Sequence, residues 1–209
     1  MNSYCLYGSD NDSYAFRRYP ALTENQKAHQ AHVPYTSGDS RPRLQRCTRC
    51  GELLDKWNEP LAGLVLAKRE YDISSTYDGM TVISKRFMAT YKSSGLSGLI
   101  FRPLPDDPEF FAIQSERIVS FDAERRKTRF IDACPQCGQY GSVVGATPVY
   151  LKPGSNIAPH EFVRTDIEFG SDDEKHPLLL CGESAADALK TAQLKGLDLE
   201  HVEEPAAAR

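Results

Sequence analysis

The chain has 209 residues, with 25 Lys and Arg against 29 Asp and Glu, a formal net charge of -4. Apolar residues make up 40% and charged residues 26%, the balance of a globular chain that builds its core without disulfide staples; collagen-like and low-complexity architectures are excluded. No apolar run nears the ~20 residues of a membrane span, the N-terminus lacks the basic and apolar regions of a secretory signal, and a mildly acidic chain is a poor nucleic-acid binder, so the first expectation is a cytoplasmic protein with no membrane partner.

In chain order, residues 1–20 alternate apolar and polar positions, with Tyr4, Leu6, Tyr14 and Phe16 on one side, and read as one or two short strands. Residues 21–46 are polar, include Pro34 and Pro42, and read as a loop. Leu53, Leu54 and Trp57 then suit a short helical turn. Residues 71–74 read as extended. Residues 82–94, with Val82, Phe87, Met88 and Tyr91 at helical spacing, read as a helix capped by Ser84 and ended by Gly95 to Gly98. A strand begins at Leu99, and Pro103, Pro105 and Pro108 break it. Residues 110–113, 118–121 and 128–132 read as strands, with a basic turn at 123–127, and Val143, Val149 and Leu151 mark further strands. Residues 178–181 form an apolar strand, 183–194 an alanine-rich helix, and 197–202 a last strand after Gly196.

Four of the six cysteines fall into two pairs, Cys47-Thr48-Arg49-Cys50-Gly51 and Cys134-Pro135-Gln136-Cys137-Gly138. Two thiolates on one tight turn occupy adjacent corners of a tetrahedron, the glycine accepts the backbone conformation that ends the turn, and two such knuckles fill a structural zinc (Zn2+) shell with no corner left for water. The 83 residues between the pairs far exceed the usual ribbon spacing, so the site would join distant parts of the chain. Two disulfides, free thiols or a redox CxxC are the alternatives, and a tetrathiolate site also suits iron. Cys5 and Cys181 read as small buried hydrophobes, with His160 and His176 the only histidines near Cys181 in sequence and at no recognisable catalytic spacing. His29, His32 and His201 read as surface residues.

The C-terminal pattern reads as a diverged internal repeat of the earlier one, the alternative being two ordinary strand–helix–strand units with similar amphipathic patterns. Setting Gly196 on Gly98 brings Leu194 to Leu197 onto Leu96 to Leu99. The expectation is an α+β (mixed α/β) fold in a single domain spanning 1–209: N-terminal strands and a polar loop over 1–45, then two halves, 46–133 and 134–209. Each half is a knuckle followed by a strand–helix–strand unit.

The two CxxCG motifs, the segment 134–139 and the stretches 187–190 and 194–197 resemble the double-CxxCG-motif proteins, a paralogous set of myxobacteria. The resemblance covers most of the chain after about residue 40. Some members of that family are immunity proteins that neutralise a cognate polymorphic toxin, so the resemblance implies a non-enzymatic zinc-binding protein whose partner is a toxin.

The charge is uneven in a way that fits such a partner. Residues 155–209 carry 5 basic and 12 acidic side chains. Glu161, Asp166, Glu168, Asp172, Asp173 and Glu174 are the candidate docking surface for a basic toxin cleft, or else a solvated loop beside the last strand. The alternative is a zinc-ribbon module contacting phosphates through Arg41, Arg43, Arg46 and Arg49 with Arg125, Arg126, Lys127 and Arg129. An enzyme would have to use Asp166 with Glu168, or Cys181 with His176, and neither pair forms a recognisable catalytic pattern.

Overall fold

A computed structural model describes residues 2–16 and 45–203. The expected loop over 21–46, except its last two residues, lies outside the described residues, as do Arg41, Arg43, His29 and His32. The elements are β1 (Ser3–Asp10), β2 (Ile73–Ser75), β3 (Thr81–Ser84), α1 (Lys85–Ser93), β4 (Leu99–Pro103), β5 (Phe110–Ser115), β6 (Ile118–Val119), α2 (Ala123–Arg126), β7 (Arg129–Ala133), β8 (Tyr140–Val144), β9 (Phe162–Ser171), β10 (His176–Gly182), α3 (Glu183–Thr191) and β11 (Leu197–His201). The strands make one mixed sheet in the order β4-β5-β3-β2-β1-β10-β9-β8-β7, with β11 beside β1 and β6 beside β9. Strands dominate it. Among the described residues no helix is long and apolar enough to cross a membrane.

Two local expectations need correction. Val82 lies in β3, paired with Ser74 and Ala112, and not in the helix. The helix starts at Lys85 because the Ser84 hydroxyl accepts the Phe87 N–H at 3.2 Å and fixes the first turn there. The basic stretch after Asp122 is a single helical turn rather than an open turn, with the Asp122 carboxylate accepting the Arg125 N–H. The acidic stretch 162–171 is the ten-residue strand β9, in which Asp166 and Glu168 are exposed, Arg164 is half-buried, and Phe162, Val163, Thr165 and Phe169 are buried.

Side chains alternate across the sheet with period two, and this sorts the core. Ile83 of β3, Leu6 of β1, Ile113 of β5 and Cys181 of β10 point to the face that carries α1 and α3. There Phe87 and Tyr91 of α1 meet Ala185, Ala186 and Leu189 of α3, and the Tyr91 ring lies 5.8 Å from that of Phe162. The opposite face is divided. Val82, Phe110 and Ala112 pack with Phe16, Leu53, Leu61 and Leu104, while Cys5, Val163, Leu178 and Leu180 pack with Phe121, Val149 and Leu151.

The pairing registers correspond. Ile73 faces Ile83 and Ser74 faces Val82 in β2–β3; Phe162 faces Cys181 and Val163 faces Leu180 in β9–β10. Ser84 faces Phe110 in β3–β5 as Gly182 faces Ser3 in β1–β10. Leu99 faces Ser115 in β4–β5 as Leu197 faces Gly8 in β1–β11. The N-terminal strand β1 therefore stands to β10 and β11 as β5 stands to β3 and β4.

The turn after each helix docks on the other group of strands. The Ser97 N–H donates to His160 O, and the Phe162 N–H donates to Ser97 O. The Asp72 and Ile73 N–H groups donate to Lys195 O. Gly98, at φ +92°, has no room for a side chain, since a Cβ there would sit 2.2 Å from Phe162 O; at Gly196, φ +81°, it would sit 2.4 Å from Ile73 O. Gly98→Ala is therefore expected to cost about 2–4 kcal/mol, from left-handed backbone strain and a forced shift of β9. Urea unfolding checks this, and a midpoint equal to that of the wild type would contradict it.

Candidate metal centre

Each knuckle is held by the same two backbone hydrogen bonds. Cys47 N–H donates to Glu52 O and Gly51 N–H to Cys47 O; Cys134 N–H donates to Gln139 O and Gly138 N–H to Cys134 O. Gly51 and Gly138 both have positive φ, +79° and +75°. The first knuckle follows an isolated bridge between Arg46 and Leu53, and the second joins β7 to β8. The knuckles touch through Gln136 Nε2, which donates to Thr48 Oγ1 at 2.8 Å.

All four predicted thiols come together. Their Sγ atoms lie within 4.8 Å of one another, with Cys47 and Cys134 at 3.9 Å and Cys50 and Cys137 at 3.6 Å. A zinc–thiolate bond of about 2.3 Å sets a tetrahedral edge of about 3.8 Å, so the sulfurs fit a metal. They are too far apart for disulfides, whose S–S bond is about 2.05 Å. Cys47 and Cys134 are buried and Cys50 is exposed. Four cysteine sulfurs are soft donors that suit zinc or iron, and they leave no corner for water.

The backbone prepares the charge. The Cys137 and Gln136 N–H groups at its sulfur lower the Cys134 pKa to about 6, and the Cys50 and Arg49 N–H groups lower that of Cys47. The second cysteine of each pair goes the other way. Although the Glu52 N–H points at its sulfur, partial desolvation and the neighbouring thiols of Cys47, Cys134 and Cys137 push Cys50 up to about 12. Cys137 is also raised, by burial and by Cys134 and Cys47, against the pull of the Gln139 N–H. Four sulfurs this close cannot all carry negative charge without a cation between them, so metal binding would release protons and weaken as pH falls.

The first knuckle also grips the turn between β9 and β10. The Arg46 guanidinium makes a bidentate pair with Asp173, 2.9 Å on each arm, and donates to Gly51 O. Behind it, Lys175 Nζ lies 2.8 Å from Glu52 Oε1, with the side chains 2% and 8% exposed. The Lys56 ammonium reaches the Asp78, Asp173 and Lys175 carbonyls.

The six acidic candidates are not one free face. Asp173 is buried against Arg46. Glu161 pairs with Arg117 and accepts the Ala158 N–H. Asp166 accepts the Phe121 N–H. Glu168, Asp172 and Glu174 are exposed. The arginines are dispersed too: Arg46 is bound to Asp173, the Arg125 guanidinium lies 3.9 Å from the Tyr150 ring, and Arg126 donates to Thr147 O. Cys181 and Cys5 are fully buried, which pushes each thiol up to about 12, and no hydrogen bond joins Cys181 to His160 or His176 among the described residues.

An apolar surface went unread in the sequence. Phe130, Ile131, Tyr140 and Val144 are exposed on the β7–β8 hairpin, with the Phe130 and Tyr140 rings 5.0 Å apart. Alternation marked 128–132 as a strand; nothing local marked it as the sheet's edge. Compared with known families and curated proteins, the chain matches no family model and no curated sequence.

Proposed function

We propose that this chain is a non-enzymatic, protein-binding module whose fold is closed by one structural zinc held by Cys47, Cys50, Cys134 and Cys137. The observation that carries the reading is the convergence of four thiols, from knuckles 87 residues apart, into a shell that leaves no corner for water or substrate. In the same proposal the fold is an internal duplication: β2, β3, α1, β4 and β5 match β9, β10, α3, β11 and β1, with β1 returning from the start of the chain to complete the second half. The matching registers and the equivalent glycines Gly98 and Gly196 support it.

The partner in this reading is a basic bacterial toxin met in the cytoplasm, neutralised as the double-CxxCG resemblance implies. Two neighbouring features support protein binding. The β7–β8 hairpin offers exposed aromatic and aliphatic side chains, and β8 pairs with β9 at Ser171, next to exposed Asp172 and Glu174. Apolar anchors beside a charged rim are the anatomy of a protein interface, and the acidic rim would steer a basic partner.

A tagged pull-down from the native host tests the reading, with bound protein and nucleic acid both identified. The expected result is a stoichiometric protein that is toxic alone, whose binding is weakened at least about tenfold by Phe130→Ser, an interface anchor loss. Asp172→Lys with Glu174→Lys should slow its association. Nucleic acid recovered without a protein would overturn the reading in favour of the zinc-ribbon alternative.

A further inference from the structure

Apart from the metal centre, the described residues line a half-open pocket of about 240 Å3 between the segment after the first knuckle, the end of β5 and the β9–β10 pair. It is smaller than the roughly 300–1,000 Å3 clefts that take drug-sized ligands. Its apolar wall includes Leu53, Met80, Ile113 and Leu179. Its polar groups are of two kinds, and both kinds are left short of partners.

The first kind donates. Arg164 uses Nε on Ser115 O at 2.9 Å, and neither terminal nitrogen of its guanidinium has a partner among the described residues. Lys175 Nζ is buried with the Glu52 carboxylate as its one partner among the described residues. The second kind accepts. Gln114 Oε1 is buried and has no hydrogen-bond partner among the described residues. The exposed Glu168 carboxylate lines the same space within electrostatic reach of the Lys56 ammonium, and it makes no hydrogen bond among the described residues. His176 spends Nδ1 on Glu174 O at 2.8 Å, so the neutral ring turns an accepting Nε2 lone pair elsewhere; burial lowers its pKa and keeps it neutral.

A buried, unpaired acceptor is costly, and a cavity that leaves donors and acceptors unpaired suits a ligand that supplies both complements. We propose that this cavity binds a free α-amino acid: its carboxylate on the Arg164 guanidinium, its ammonium among Gln114, Glu168 and His176, and its side chain against the apolar wall. The planar guanidinium fork matches a carboxylate bidentately. A simple cation or anion would leave one set of groups unmatched. The proposal does not rest on the zinc or the toxin reading.

Calorimetric titration of the intact, metal-loaded chain with each of the twenty amino acids tests the proposal. The expected result is one-to-one binding of one or a few apolar amino acids. The matching amine and the matching carboxylic acid, each lacking one charge, should bind at least about tenfold more weakly, the scale of one lost charged hydrogen bond. Glu168→Gln and Gln114→Leu should weaken binding by a similar factor. Gln114→Leu should leave the melting temperature unchanged or higher, because it removes an unsatisfied buried acceptor, whereas a purely structural Gln114 would lower it. Absence of binding up to roughly 10 mM, a ligand too weak to matter at −2 to −3 kcal/mol, would overturn the proposal. So would equal binding of the decarboxylated amine, or unchanged affinity in both variants.

Discussion

Cys134→Ser is expected to abolish metal binding and the cooperative unfolding transition near the wild-type temperature. The sulfur it removes belongs to a site linking positions 87 residues apart, and closing so long a loop is worth about 4–5 kcal/mol in the chain-entropy picture. Structural zinc sites hold their metal with roughly 10–16 kcal/mol, as much as the roughly 5–15 kcal/mol by which a whole domain is stable. A melting temperature lowered by more than about 10 °C, or no transition at all, is the predicted outcome. Treating the wild type with a strong chelator should reproduce it, and so should acid, because protons compete for the thiolates. A metal-free variant that melts with the wild type would mean that the core alone holds the two knuckles together.

Lys175→Met is expected to be the costliest single change outside the knuckles. Lys175 is 1% exposed, and its ammonium meets Glu52 directly behind the Cys50 corner. Burial already raises the Glu52 pKa, and the Lys175 ammonium is the chief force holding it down. Removing that ammonium leaves a buried carboxylate uncompensated, a loss of about 3–5 kcal/mol by analogy with other broken buried pairs. Adding Glu52→Leu should recover much of it, since a pair replaced whole by apolar groups is often nearly neutral. Urea unfolding of the two single variants and the double variant makes the cycle. Simple additivity would show that the pair is not coupled.

The metal centre was legible because its signal is local: two CxxCG runs state the ligands and the turn without reference to the rest of the chain. The helix ends were legible for the same reason. Ser84 caps α1, and the alanine-rich run of α3 has propensity and spacing that agree. Long-range pairing left no such mark. Nothing near Ser3 to Asp10 shows that this strand lies between β10 and β11. The acidic run 161–174 read as a surface, yet a strand exposes only alternate residues, and tertiary pairing then drew Asp173, Glu161 and Asp166 into internal bonds. The cavity was invisible because its walls come from residues 53–57, 79–81, 113–115 and 164–179, which only the folded sheet brings together.

The most direct test of the account is X-ray absorption at the metal edge on chain purified under reducing conditions, with metal content measured on the same sample. The expected result is one zinc per chain surrounded by four sulfurs at about 2.3 Å. A light-atom ligand in the shell, a substoichiometric metal in fully stable protein, or two disulfides in place of the thiolates would contradict it.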